Sequence, residues 1–164
     1  MARADPGAFV IGVDADSSSL VDPSRRAARR KGGVPNAMFV VAAVEALPPE
    51  LDGLVDDVRI HFPWGSLLRG LLLADPAVIL PLARICRTGA SVQVVWSLTP
   101  RERGTGLLAA DPRALAATLP GLGLAVDELR EASLVEVVAT GSSWAKRLGV
   151  GRARPATLLR ARRR

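Results

Sequence analysis

Four short, apolar, β-branched runs, at residues 9–13, 37–42, 58–62 and 90–96, take turns along this chain with segments that read as helices. Few folds accommodate that rhythm: near-continuously apolar strands joined by helical crossovers predict an α/β fold with a parallel sheet covered on both faces. The first helix starts at a capping signal, Asp16 and Ser17, and is expected to run through Ser24 to Lys31. A helical region at 67–73 and 77–87 follows the third strand, with Pro76 suited to a first helical turn and Gly89 to an exit. Beyond a stretch at 101–110 that is expected to be flexible, the pattern predicts a helix at 112–119 and a strand at 124–129. A helix at 134–148 and a strand at 156–161 close the chain. A length of 164 residues suits a single domain.

Composition narrows the class further. Hydrophobic residues make up 49% of the chain, enough for a sizeable core, and no apolar run approaches the ~18–20 residues of a membrane span. The opening Met-Ala-Arg-Ala-Asp-Pro lacks the regions of a secretory signal, and the lone Cys86 cannot form an internal disulfide. A soluble protein of the reducing cytoplasm is the expectation. Cys86, on an apolar helical stretch, reads as core, and so does Trp96 within its strand.

Charge is placed unevenly. From Val137 onward there are eight cations and no acid, more than the whole net charge of +6, so the remainder of the chain is net negative. A second cluster is Arg25, Arg26, Arg29, Arg30 and Lys31. Arginine forks suit phosphate oxygens, and two such clusters fit a nucleic-acid backbone footprint or, equally, a solvated helix face and a frayed terminus.

Candidate chemistry lies at the strand ends. Asp14 closes the first strand, where a carboxylate either accepts hydrogen bonds from a ribose diol or caps the next helix. Glu45, just beyond the second strand, has the same two readings. After the third strand comes His61-Phe62-Pro63-Trp64-Gly65-Ser66-Leu67-Leu68. There Pro63 bars the ladder from continuing, Gly65 frees the backbone to turn, and Trp64 is offered to a pocket. His61, alone in its strand, reads as structural. No GxGxxG or GxGxG is present, which argues against a nicotinamide-dependent Rossmann enzyme.

His61 to Gly70, together with Ser142-Ser143-Trp144-Ala145-Lys146-Arg147-Leu148, resembles the aminoglycoside-resistance 16S rRNA adenine-1408 N1 methyltransferases, the kanamycin–apramycin resistance family. The likeness also takes in Ile11-Gly12-Val13-Asp14-Ala15-Asp16, Ala43 to Pro49 and Arg152-Ala153-Arg154-Pro155. It covers nearly the whole chain, in the family's order.

The resemblance implies a class I S-adenosylmethionine-dependent methyltransferase sheet and no metal. Asp14 would hold the ribose hydroxyls of S-adenosylmethionine, Val44 and Glu45 would flank its adenine, and Phe62 and Pro63 would border its methionine side. Trp64 and Trp144 would stack the target adenine, supported by Ser66 and Ser142. Arg147, Arg152 and Arg154 would contact phosphates of 16S rRNA in the 30S subunit, with Arg25, Arg26, Arg29 and Lys31 as a second contact surface. The protein would act as a monomer. In the family a strand and a Gly-rich loop come first, and here they are absent before Phe9. The resemblance therefore implies one N-terminally incomplete methyltransferase domain, in which the strands ending at Asp14 and Phe62 keep unpaired edges. A noncatalytic RNA-binding remnant is the alternative. Pro23, where the family has an uninterrupted helix, is a further departure.

Overall fold

The computed structural model describes residues 2–98, 112–147 and 149–164; the stretch expected to be flexible, 101–110, and Leu148 lie outside them. The chain divides into two compact units, Met1–Pro48 and Pro49–Arg164.

In the first unit, β1 (Val10–Asp14) and β2 (Ala37–Val41) pair in parallel, from Val10 opposite Ala37 to Asp14 opposite Val41. The crossover between them is α1 (Ser17–Ala27), and Pro23 lies inside that helix without ending it. The helix stops short of Lys31. Val34 N–H donates to the carbonyl of Ala27 at 2.8 Å, and Gly32, at φ 73°, turns the chain toward β2. Asn36 fastens the preceding segment: its side-chain amide donates to the carbonyls of Ala2, Asp5 and Ala8 at 2.9, 3.1 and 2.7 Å.

The second unit runs β3 (Val55–His61), α2 (Gly65–Leu72), α3 (Pro76–Ile85), β4 (Cys86–Trp96), α4 (Pro112–Thr118), β5 (Leu124–Glu131), α5 (Leu134–Ala139), α6 (Ser143–Arg147) and β6 (Thr157–Arg163). Its four-stranded sheet has the order β3-β4-β6-β5. This corrects the expected all-parallel sheet. β3 and β4 are parallel, but β6 is antiparallel to both of its neighbours, β4 and β5. Among the described residues β1 and β3 are both edge strands.

The two faces of this sheet also differ. Leu68 and Leu72 of α2, Ile79 and Leu82 of α3 and Leu115 of α4 gather over Val94 and Leu159, and their burial is the main apolar contribution to the unit. The opposite face carries Asp57 and Arg59 of β3, Ser91 and Gln93 of β4, and Arg160 and Arg162 of β6. One face is therefore apolar and helix-covered, and much of the other is polar. Alternation within Asp57-Val58-Arg59-Ile60 and Ser91-Val92-Gln93-Val94 is the signal for this, because successive strand residues point to opposite faces. Trp96 and Cys86 are both core, at 4% exposure.

The helix expected at 134–148 is two helices. Gly141, at φ 70°, breaks it between α5 and α6. Thr140 and Gly141 end α5 by donating to the carbonyls of Val137 and Val138, at 3.3 and 3.0 Å.

Candidate active site

At the carboxyl end of the β1–β2 pair, Asp14 is the last strand residue and is exposed. Its backbone carbonyl accepts from Ala42 N–H at 3.0 Å, which draws the segment after β2 alongside it. That segment carries Val44, half-buried, and Glu45, exposed, on a single 3-10 turn, Val44–Ala46. The two readings of Asp14 separate here. Asp16 is the N-cap of α1, its carboxylate accepting from Ser18 N–H at 2.9 Å and Ser18 Oγ at 2.7 Å. Those bonds hold the Asp16 carboxyl below its ordinary range. Among the described residues the Asp14 carboxylate accepts one bond, a local one from Asp16 N–H at 2.9 Å through Oδ1. That carboxylate is not used as the helix cap.

At the carboxyl end of β3 the chain makes a strained turn. Phe62 has φ 52°, a left-handed conformation that costs a non-glycine residue roughly 1–2 kcal/mol. It is held there by a hydrogen bond from its N–H to Val95 O at 2.7 Å and by burial of its ring, which is 8% exposed. Pro63 is buried. Trp64 then occupies the extended N-cap position of α2 with its indole 80% exposed, and Gly65, at φ 61°, starts the helix. Ser66 is exposed on the first turn of α2.

The other tryptophan segment meets this turn. The indole of Trp144, on α6, lies 5.5 Å from the Phe62 ring, centroid to centroid, at an interplanar angle of 35°. Trp144 is half-buried and packs on a cluster that includes Phe62, Val95, Val137, Ala145 and Leu158. Such an aromatic pair contributes about 0.5–1.5 kcal/mol beyond area burial. Ser142 precedes the helix. Its Oγ accepts from Ala145 N–H at 3.2 Å, and its own N–H donates to Thr140 Oγ1 at 3.2 Å. Ser142 is thus occupied in shaping the entry to α6.

The basic residues sort into two groups. Arg160 is bound to Glu128 and Glu136 at 2.7 and 3.1 Å, Arg162 to Asp127 at 2.8 Å, and Arg163 donates to Gly123 O at 3.2 Å. The closing strand expected at 156–161 is β6, central in its sheet, which decides against a frayed terminus, and Arg160, Arg162 and Arg163 on it are engaged within the fold. Lys146, Arg147 and Arg152 are exposed and Arg154 half-buried, and among the described residues none of the four takes part in an ion pair. Arg154 closes the loop before β6 by accepting from Gly151 N–H at 2.7 Å through its carbonyl. In the first unit Arg25 and Arg26 sit in the last turn of α1, with Arg29 and Lys31 just beyond it, all four exposed.

Two features escape a reading of the residues in order. One is the Phe62–Trp144 contact, between segments far apart in the chain. The other is Glu136, which the capping box Ser133-x-x-Glu136 announces as a local element, but which also reaches Arg130 and Arg160 on two strands. His61 Nε2 is buried without a hydrogen-bond partner among the described residues. Burial, with Arg59 nearby, pushes its pKa down, so the ring is neutral at pH 7. Burial likewise pushes the Cys86 thiol up to about 11, away from nucleophilic chemistry.

In each unit the candidate chemistry gathers at the carboxyl ends of parallel strands, where α/β enzymes take nucleotide-bearing ligands. Comparison with known proteins makes the class specific. The family model for NpmA, 16S rRNA (adenine(1408)-N(1))-methyltransferase, matches residues 1–163. A 16S rRNA (adenine(1408)-N(1))-methyltransferase of Streptoalloteichus hindustanus is 34% identical over 164 residues, covering 94% of this chain and 75% of that relative. One from Escherichia coli is 32% identical over 162 residues, covering 92% of this chain and 74% of its own. Among solved structures, the 16S rRNA methyltransferase KamB superposes with a TM-score of 0.87 at 32% identity, covering 99% of this chain and 80% of that one. A mutant enzyme from Catenulisporales acidiphilia, solved with its cosubstrate S-adenosylmethionine, superposes with a TM-score of 0.80 at 30% identity, covering 99% and 78%. The fold is that of the S-adenosylmethionine-dependent methyltransferases. The chain belongs to the 16S rRNA (adenine(1408)-N(1))-methyltransferase family.

Proposed function

We propose that this protein methylates N1 of adenine 1408 in 16S rRNA with S-adenosylmethionine as donor, and thereby confers aminoglycoside resistance. One observation carries the reading: a single family model spans residues 1–163, both tryptophan segments included. The same span supports taking the two units as one methyltransferase domain.

The end of the β1–β2 pair suits the nucleoside half of the donor. The Asp14 carboxylate is exposed there and is not a helix cap, so it is available to a vicinal diol. Val44 and Glu45 stand beside it on the following turn, one apolar and one acidic, a pair matched to an adenine ring and its amino edge. Phe62 and Pro63 border the methionine side.

Bound S-adenosylmethionine supplies an electrophilic sulfonium methyl. Adenine N1 already holds a lone pair in the ring plane, so the chain needs no strong general base. It must aim that edge, and positioning is its main catalytic resource. Trp64 and Trp144 replace the stacking that the adenine loses on leaving the helix. Their π faces also favour the positive charge that N1 methylation places on the base. Ser66 and Ser142 support this pocket, Ser142 by setting the start of α6.

Arg147, Arg152 and Arg154 are the primary phosphate contacts, and Arg25, Arg26, Arg29 and Lys31 a second surface. The protein acts as a monomer on the 30S subunit in the cytoplasm. Among the described residues no single helix is long and apolar enough to cross a membrane. The test is transfer of labelled methyl from S-adenosylmethionine to 30S subunits. Label recovered as 1-methyladenosine in 16S rRNA supports the reading; unlabelled rRNA, or label on another base, refutes it.

A further inference from the structure

The Phe62 side chain is buried, although Trp64, Gly65 and Ser66 of the same turn are exposed. Phe62 sits in a left-handed conformation at φ 52°, its N–H is fixed to Val95 O at 2.7 Å, and its ring is 8% exposed. Glycine adopts that backbone freely, whereas phenylalanine adopts it at a cost, so the ring must contribute something that a turn alone does not need. Its one aromatic neighbour among the described residues is Trp144, 5.5 Å away and tilted by 35°.

Phe62 is the aromatic member of the buried cluster against which Trp144 packs. Trp144 is the second residue of a five-residue helix that follows the Gly141 break. Ala145, next to it, is anchored at 2% exposure, while the indole itself is half-buried against the shared cluster.

We propose that Phe62 is a positioning residue for Trp144: its strained backbone presses the phenyl ring against the indole and sets the plane on which the target base stacks. The end of β3 thus places both aromatic side chains of the base pocket, Trp64 through the chain and Trp144 through space. This rests on the reading of Trp144 as a base-stacking residue. The same reading places Phe62 at the donor's methionine side, so coupling to Trp144, rather than donor affinity, separates the two roles.

A double-mutant cycle in methyl transfer to 30S subunits tests the proposal, with kcat and KM measured for wild type, Phe62→Leu, Trp144→Ala and the double variant. Phe62→Leu is expected to lower kcat by roughly 3- to 10-fold, the size of an aromatic pair. In the Trp144→Ala background the same change is expected to cost less than about twofold. Phe62→Tyr, which keeps the ring, is expected to restore most of the rate. If Phe62→Leu unfolds at assay temperature, Phe62→Met enters the same cycle. Losses that multiply overturn the proposal and leave the base-stacking reading standing. Full activity of Trp144→Ala overturns both.

Discussion

Arg130 grips Glu136 with two parallel hydrogen bonds, Nη1 to Oε2 at 2.8 Å and Nη2 to Oε1 at 2.7 Å. Arg160 Nη2 adds a third at 3.1 Å, and Ser133 N–H a fourth at 2.9 Å. One carboxylate therefore ties α5 to β5 and β6, directly before Val137, whose side chain belongs to the cluster beneath Trp144. The Arg130 guanidinium first, then Ser133, hold the Glu136 carboxyl well below the usual carboxylate range.

Glu136→Gln is expected to lower stability at pH 7 by about 1–2 kcal/mol, discounted for partial exposure of the network. A depressed carboxyl stabilises the fold above its unfolded value, near 4.3, and that contribution is lost as pH falls through the folded value. The gap in urea midpoint between wild type and Glu136→Gln is expected to hold from pH 7 to about 5 and to narrow below about pH 4. A gap that widens on acidification contradicts the assignment.

Gly65→Ala isolates backbone conformation, because nothing lies within 4 Å of an added Cβ and φ is +61°. The expected cost in stability is about 1 kcal/mol. Loss of methyl transfer is expected to be larger, since the turn that presents Trp64 must shift. Equal losses in Tm-derived stability and in rate speak against a role for the turn beyond folding.

The proposed rRNA contacts are cations that take part in no ion pair among the described residues. Arg152→Ala is expected to weaken 30S binding and to lower the slope of log affinity against log salt by about 1, while Arg162→Ala, whose partner is Asp127, leaves that slope unchanged. Binding measured at several salt concentrations decides between them.

Asp14→Ala is expected to weaken donor binding about tenfold or more, the loss of two charge-assisted hydrogen bonds. Calorimetric titration with S-adenosylmethionine gives the answer, and wild-type affinity in the variant removes Asp14 from the donor site.

How far the residues themselves foretell this varies with the physics involved. Local signals read well. The strands and the Pro63–Gly65 turn follow from periodicity and backbone chemistry, and the cap at Asp16 from side-chain geometry. Strand direction did not follow, because antiparallel β6 depends on a long-range pairing that leaves only a weak alternation in Leu159-Arg160-Ala161-Arg162. The same is true of charge. Arg160 and Arg152 look alike in order along the chain, and only the partners on β5 and α5 tell them apart. Gly141, read as helix interior, ends α5 through its left-handed φ of 70°. The two tryptophans and Phe62 were visible in the residues, whereas the contact between Phe62 and Trp144 was not.

Reverse transcription across the decoding site of 30S subunits, after incubation with this protein and S-adenosylmethionine, tests the central claim most directly. The predicted result is a donor-dependent stop immediately before adenine 1408, since an N1 methyl blocks the Watson–Crick edge, with the stop reduced at least about tenfold by Trp64→Ala. Read-through at that adenine by the wild-type protein, with donor present, contradicts the account.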